Sequence, residues 1–95
     1  MALADESTPK KIAQRLSIVR QASGLSQTEF ARRAGLGTSA WNNYETARKR
    51  ISLDAAIRIC ETYQLTLDYI YLGDASNIPY KLAQAIESIR AVRND

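Results

Sequence analysis

Four uncharged polar side chains lie within one short stretch of this chain: Thr38, Ser39, Asn42 and Asn43. On a helix, at about 100° per residue, they would share an arc of roughly 140°. They are weak helix formers, and an ordinary solvated face would carry Glu, Lys, Gln or Arg instead. An asparagine amide can donate and accept in one plane, which suits the edge of adenine, and a threonine methyl group suits the thymine methyl. The pattern therefore predicts a face that hydrogen-bonds to base edges.

Three cationic residues, Arg48, Lys49 and Arg50, follow this stretch. Their charge suits contact with phosphate, which would raise affinity for a polyanion of any sequence and make that affinity salt-dependent. The alternative is a solubilising loop. The wider charge distribution favours a polyanion, because residues 1–50 hold nine Lys and Arg against four Asp and Glu, whereas residues 51–95 hold four against six.

Enzyme chemistry has little support in the composition. The 95 residues include no histidine and one cysteine, so the usual zinc sites, an internal disulfide and the commonest general base are all missing. Cys60 lies in the apolar pattern "AAIRICETY", where a reduced core thiol is expected rather than a nucleophile. We therefore expect no catalytic residues, no metal and no cofactor.

The elements that would position these residues are helices. In the first, Thr8 can cap, Pro9 suits the first helical position, and the helix is expected to end near Gly24. Its apolar residues recur with helical spacing at Ile12, Leu16 and Val19.

A pair of short helices follows. Ser26 and Glu29 are spaced as a capping box, which predicts the start of the second helix, and Gly35 can take the left-handed backbone that ends it. The third helix carries Trp41 and Tyr44 for packing, on the face opposite the four polar residues. Two short helices joined by a tight glycine turn are thus expected.

Three more helices complete the chain. Ser52 begins a fourth, Thr66 a very short fifth and Pro79 a sixth. The residues expected to face inward on the fourth are Leu53, Ala56, Ile57, Cys60 and Tyr63. No stretch alternates long enough to predict a strand, and no apolar run approaches the roughly 20 residues needed to cross a bilayer. An all-α domain is predicted.

The stretch "GLSQTEFARRAGLGTSAWNNYE" resembles the helix-turn-helix of the Cro and lambda-repressor family of prokaryotic and phage transcriptional regulators. The similarity continues through "RISLDAAIRICETYQLTLDYIYLGD" and covers about residues 10–74. It implies a compact five-helix domain with an additional C-terminal helix. The corresponding organisation is a flexible segment at 1–8, the DNA-binding domain at 9–74 and a helical extension at 75–95.

The resemblance also implies roles for individual residues. In this family the second helix of the pair enters the major groove, so Thr38, Ser39 and Asn43 are predicted to contact base edges. Asn42 is predicted to contact a base or a nearby phosphate. The predicted phosphate contacts are Gln27, Thr28, Arg48, Lys49 and Arg50. Arg20 matches the family arginine that pairs with the closing glutamate, here Glu45, and that ion pair would have a structural role.

Three positions depart from the family pattern. Gly37 stands where a serine or threonine cap is usual, so the recognition helix should begin without a side-chain cap. Ala47 replaces a common glycine, which questions a left-handed backbone there. Trp41 is larger than the usual aliphatic residue, so packing beneath the helix should differ.

The C-terminal extension carries an apolar stripe formed by Leu82, Ile86 and Ile89. This stripe must cover either the domain's own core or a second copy of the chain. The second alternative would make it a dimer interface, and a dimer would read a palindrome with two recognition helices.

These features together predict a cytoplasmic, sequence-specific regulator of double-stranded DNA, most simply a repressor bound as a homodimer to a palindromic operator. No membrane contact and no small-molecule effector are expected. The alternative is an antitoxin-type interaction protein that binds a toxin and represses their shared operon. An enzyme is the least favoured class.

Overall fold

The computed structural model describes residues 4–93, in which seven α-helices and no strand are present. In chain order they are α1 (Ala4–Ser7), α2 (Pro9–Ser23), α3 (Gln27–Arg33), α4 (Thr38–Glu45), α5 (Leu53–Tyr63), α6 (Leu67–Leu72) and α7 (Tyr80–Arg93). The predicted all-α class is confirmed. The ends of the predicted terminal segments, residues 1–3 and 94–95, lie outside the described residues.

Local sequence signals begin most of these helices. The hydroxyl oxygens of four capping residues each accept a backbone N–H three residues later: Thr8, Ser26, Ser52 and Thr66. The capping box expected at Ser26 is only half formed. Ser26 Oγ accepts from the Glu29 backbone, but the Glu29 carboxylate accepts from the side chains of Arg32 and Arg33 instead of returning to Ser26.

A glycine turn sets α3 against α4. Gly35 has φ of 75°, a left-handed value that costs glycine nothing. The chain turns back over the end of α3 here, because the Leu36 backbone N–H donates to the Ala31 carbonyl at 2.9 Å. A Cβ at Gly35 would lie 2.9 Å from Nη1 of Arg58, but this is the end of an exposed, flexible side chain that can move, so the left-handed backbone is what favours glycine here. This turn brings the predicted reading helix to its place on the domain.

The aromatic core lies directly beneath α4. Trp41 and Phe30 are both fully buried, with ring centroids 4.9 Å apart. Tyr63 stacks on the other side of Phe30 at 3.9 Å, and its hydroxyl donates to the Phe30 carbonyl at 2.7 Å. The large Trp41 side chain is therefore accommodated in a cluster of three aromatic rings from α4, α3 and α5, of which Phe30 and Tyr63 are stacked.

The inward face of α5 differs from the prediction. Leu53 is 56% exposed and Ile57 is 39% exposed, whereas Ala55, Ala56 and Ile59 are buried. Two adjacent alanines allow close approach of neighbouring elements, so the buried stripe is rotated towards them and away from the larger side chains. The sequence therefore predicted the wrong face for Leu53 and Ile57.

Helix α7 packs against α2 of its own domain. Ile86 is 2% exposed, and Leu82 and Ile89 are half-buried against the same core. The stripe therefore packs on its own domain, in line with the first of the two alternatives, while a dimer interface that includes the half-buried Leu82 and Ile89 stays a prediction. Val92, on the last turn, is 86% exposed and lies outside this packing.

The N-terminal helix α1 was not expected, because residues 1–8 were predicted to be a flexible segment. The side chain that holds it is Arg15, one of the buried residues of α2. Arg15 Nη2 donates to the Glu6 carboxylate at 2.6 Å, and its Nη1 donates to the Ile70 carbonyl of α6 at 2.8 Å. One guanidinium therefore links α1, α2 and α6.

Candidate nucleic-acid interface

Helix α4 presents the four predicted reading residues away from the core. Thr38 and Ser39 are exposed, Asn42 and Asn43 are half-buried, and Trp41 on the other side is fully buried. Tyr44 packs beside Trp41 in an edge-on arrangement with centroids 6.3 Å apart. Ala40, beside Trp41 in the sequence, is exposed. The helix therefore has one aromatic face and one uncharged polar face.

The start of α4 carries no side-chain cap. Gly37 is its N-cap residue, with extended φ of −75° and ψ of 150°, and makes no capping hydrogen bond. Backbone N–H groups of the first turn consequently have no capping side chain. The helix is instead held on the domain at its C-terminal end, through Glu45.

Glu45 pairs with Arg20 and so joins α4 to α2. Arg20 Nε lies 2.6 Å from Glu45 Oε2, and Arg20 Nη2 donates to Oε1 at 3.2 Å. The third guanidinium nitrogen, Nη1, donates to the Leu25 carbonyl at 3.0 Å. The Glu45 side chain is only 5% exposed, so this bidentate pair is shielded from water and holds the helix firmly.

Two further donors converge on the same carboxylate. Trp41 Nε1 donates to Glu45 Oε2, and Gln27 Nε2 donates to Oε1 at 3.2 Å. Sequence reasoning assigned Trp41 only to packing. The signal for its polar role was present, because residues four apart on a helix are neighbours and an indole N–H needs a partner when buried.

Gln27 also contacts the polar face of α4. Its Oε1 accepts a hydrogen bond from Asn42 Nδ2 at 3.2 Å, which joins α3 to α4. Gln27 was predicted to contact phosphate and Asn42 a base or a nearby phosphate, and the structure brings the two side chains into contact with each other. Thr28, the other predicted phosphate contact on α3, is exposed.

The three cations lie in the loop between α4 and α5, and all are exposed. Within residues 4–93, the side chains of Arg48 and Lys49 have no hydrogen bond or ion pair. Arg50 differs, since its Nη1 donates to the backbone carbonyl of Ser7 and, at 3.4 Å, to the Ser7 hydroxyl. Two of the three cations are therefore available to an external anion, and the third is tied to α1.

Ala47, in the same loop, has φ of 63°. The left-handed backbone that the family pattern places here is thus retained without glycine. The backbone N–H of Lys49 donates to the Asn43 carbonyl at 3.2 Å, so the loop turns back over the end of α4. This conformation directs the chain from the reading helix into the cationic stretch.

Helix α3 carries its own charge cluster on the outside. Glu29 accepts from Arg32 and Arg33, and these hydrogen bonds lower the pKa of its carboxyl from 4.5 to about 2. The bond to Glu29 also raises the pKa of Arg32. The charge of Glu29 thus offsets part of the positive charge of its two neighbours, which makes them weaker candidates for phosphate contact than Arg48 or Lys49.

No other chemistry stands out in the described residues. Burial raises the pKa of the half-buried Cys60 thiol, which keeps it protonated and weakly nucleophilic. Residues 4–93 contain no group of three or more His, Cys, Asp or Glu side chains placed to hold a metal ion. Among the helices in that range, none has both the length and the apolar character that a membrane span requires.

Comparison with known proteins identifies the domain. The family model described as "Helix-turn-helix domain" matches residues 11–69, which run from the start of α2 into α6 and include both helices of the predicted pair. No significant match is found among curated proteins or among solved structures. A domain of this kind implies a DNA-binding transcriptional regulator. With more than half of its length matched, the chain belongs to the helix-turn-helix family of the Cro and lambda-repressor type.

Proposed function

We propose that this protein is a sequence-specific regulator that reads double-stranded DNA with α4 in the major groove. The observation that carries the proposal is the uncharged polar face of α4, whose helix is held on the domain by Arg20 and Glu45. Rigid placement matters because base recognition requires side chains to reach base edges at fixed positions. A merely solvated face would need neither this composition nor this anchoring.

The division of contacts follows from exposure and charge. Thr38, Ser39 and Asn43 supply donors, acceptors and one methyl group to base edges, with Asn42 beside them. Phosphate contacts come from residues flanking that face: Gln27, Thr28, Arg48, Lys49 and Arg50. The cations contribute affinity for any duplex, and the uncharged face contributes the preference for one sequence.

The regulator acts as a homodimer on a palindromic operator. One α4 reads few base pairs, whereas two copies about 34 Å apart would read two half-sites on one face of the duplex. Because Ile86 is buried within its own domain, any contribution of the α7 stripe to the dimer would come from the half-buried Leu82 and Ile89. Repression is the simplest outcome, since occupancy of a promoter is sufficient for it.

Binding experiments with a selected duplex test the proposal. A duplex is first selected from a random pool with the wild-type protein, and fluorescence anisotropy then compares it with a scrambled duplex at two salt concentrations. We expect much tighter binding to the selected duplex. Asn43→Ala should lose mainly this preference, and Arg48→Ala should weaken binding to both duplexes.

Equal wild-type affinity for both duplexes would overturn the base-reading proposal. Ser76→Ala serves as the control variant, because Ser76 is exposed and lies between α6 and α7, outside the proposed interface. It should bind both duplexes as the wild type does.

A further inference from the structure

We propose that Asn42 is a positioning residue, which acts on DNA by orienting the side-chain amide of Gln27 rather than by reading a base. This inference rests on the proposed function and assigns a different role to one of the four polar residues of α4. Its basis is the hydrogen bond from Asn42 Nδ2 to Gln27 Oε1, together with the bond from Gln27 Nε2 to Glu45 Oε1.

The direction of these bonds follows from chemistry. An ionised carboxylate can only accept, so Gln27 must turn its NH₂ group towards Glu45. Its carbonyl oxygen is then on the side of Asn42, which must present its own NH₂ group there. Asn42 therefore donates to Gln27, Gln27 donates to Glu45, and neither hydrogen bond can be reversed while Glu45 is ionised.

The fixed direction of these two hydrogen bonds determines which group of the Gln27 amide can contact DNA. One N–H of its amide is bound to Glu45 and its oxygen accepts from Asn42, so the second N–H remains as a donor. A donor suits a phosphate oxygen, which only accepts. Without Asn42, the glutamine oxygen would lose its partner and the amide could rotate away from this orientation.

Asn43 provides the contrast within the same helix. Its side chain has no hydrogen-bond partner in the part of the chain that the structure describes, so the whole amide is free to meet a base. Asn42 lies one residue earlier and has already committed an N–H to Gln27. Of these two adjacent asparagines, Asn43 thus contacts a base and Asn42 positions the Gln27 side chain.

The inference is tested by a double-mutant cycle on the full chain, with Asn42→Ala, Gln27→Ala and the combined variant. Affinities are measured for the selected and the scrambled duplex. Each single substitution should weaken binding to both duplexes by the same factor, about threefold to tenfold for one lost hydrogen-bonded contact. The combined variant should be no weaker than Gln27→Ala alone, because Asn42 acts through that side chain.

Base reading by Asn42 gives the opposite pattern. Asn42→Ala would then reduce the ratio of selected to scrambled affinity by fivefold or more, independently of Gln27. That result, or unchanged binding to both duplexes, overturns the inference. The cycle on the scrambled duplex remains informative if the wild type shows no sequence preference, so failure of base reading and failure of this inference are distinguishable.

A charge-matched pair of variants and a DNA-free measurement complete the test. Asn42→Asp and Asn43→Asp add the same charge to adjacent positions, but only the first places an acceptor against Gln27 Oε1. In NMR spectra without DNA, Asn42→Asp should shift the side-chain amide signals of Gln27, and Asn43→Asp should leave them in place. Equal shifts in both variants would contradict the proposed positioning. Thermal unfolding by circular dichroism confirms that each variant is folded.

Discussion

The guanidinium of Arg50 is hydrogen-bonded to Ser7, a residue 43 positions earlier in the chain. Arg50 follows the reading helix, whereas Ser7 is the last residue of α1. The same short helix is held at Glu6 by Arg15. The contact with Ser7 therefore restrains the Arg50 side chain that would bind a phosphate, whereas the Arg48 side chain has no such contact within residues 4–93.

This difference predicts unequal effects of two matched substitutions. Arg48→Ala should lower affinity for any duplex and reduce the slope of log affinity against log salt by about 0.9 for each bound protomer. Arg50→Ala should reduce the slope by less, because the bond to Ser7 competes with phosphate. Anisotropy titrations over a range of salt concentrations measure both slopes. Equal reductions would show that the contact with Ser7 does not restrain Arg50.

Replacing Ala47 with glycine should stabilise the protein. Its left-handed φ of 63° costs a non-glycine residue about 1–2 kcal/mol, partly offset by the 0.4–1 kcal/mol that glycine adds to unfolded-chain entropy. Urea denaturation should show a net gain of about 0.5–1 kcal/mol. The control is Ala40→Gly in α4, the same chemical change in a helical backbone, which should lose about 1 kcal/mol. Losses in both variants would argue against strain at Ala47.

The packing of α7 predicts contrasting effects of two truncations. Ile86→Ala should lower the free energy of unfolding by about 2–5 kcal/mol, because the isoleucine side chain is buried in the core. Val92→Ala should change it by less than about 0.5 kcal/mol, since this side chain is largely exposed. Chemical denaturation with light scattering on the same samples separates folding from assembly. Loss of a dimer at unchanged stability in Ile86→Ala would contradict this packing.

The charge cluster on α3 predicts an unusually acidic glutamate. Hydrogen bonds from Arg32 and then Arg33 hold the pKa of Glu29 at about 2, below its ordinary value of 4.5. Since this pKa is lower in the folded state, the stabilisation is complete above about pH 4.5 and is lost as pH falls through 2. An NMR titration of the side-chain carboxyl carbon measures it directly. In a variant with Arg32→Gln and Arg33→Gln, the pKa should return towards 4.5; the same low value there would exclude the two arginines as its cause.

Elements defined by local chemistry were predictable from the sequence. Capping by Ser52 and Thr66 depends on atoms three residues apart, and both caps are formed. Helix α1 could not be predicted in this way, because the arginines that hold it come from α2 and from the loop after α4. The buried face of α5 was predicted in part: Ala56 is buried as expected. Leu53 and Ile57 suit a core by composition, and only tertiary packing leaves them exposed.

In the candidate site, too, features set by local sequence were predictable and features set by packing between helices were not. The polar face of α4 follows from residue types and helical spacing, and the pairing of Arg20 with Glu45 came from the family resemblance. The bond between Gln27 and Asn42 depends on how α3 packs against α4, which no local pattern specifies. The indole donor of Trp41 was overlooked because its size suggested packing alone.

Trp41 also gives this protein a built-in optical probe. It is the only tryptophan in the sequence, it is fully buried, and its indole N–H is bound to Glu45 at the end of the helix that carries the reading face. Indole emission responds to hydrogen bonding and local polarity, so its wavelength and intensity should change if α4 shifts when DNA is engaged. The seating of the reading helix can thus be followed in real time, in the unlabelled wild-type protein.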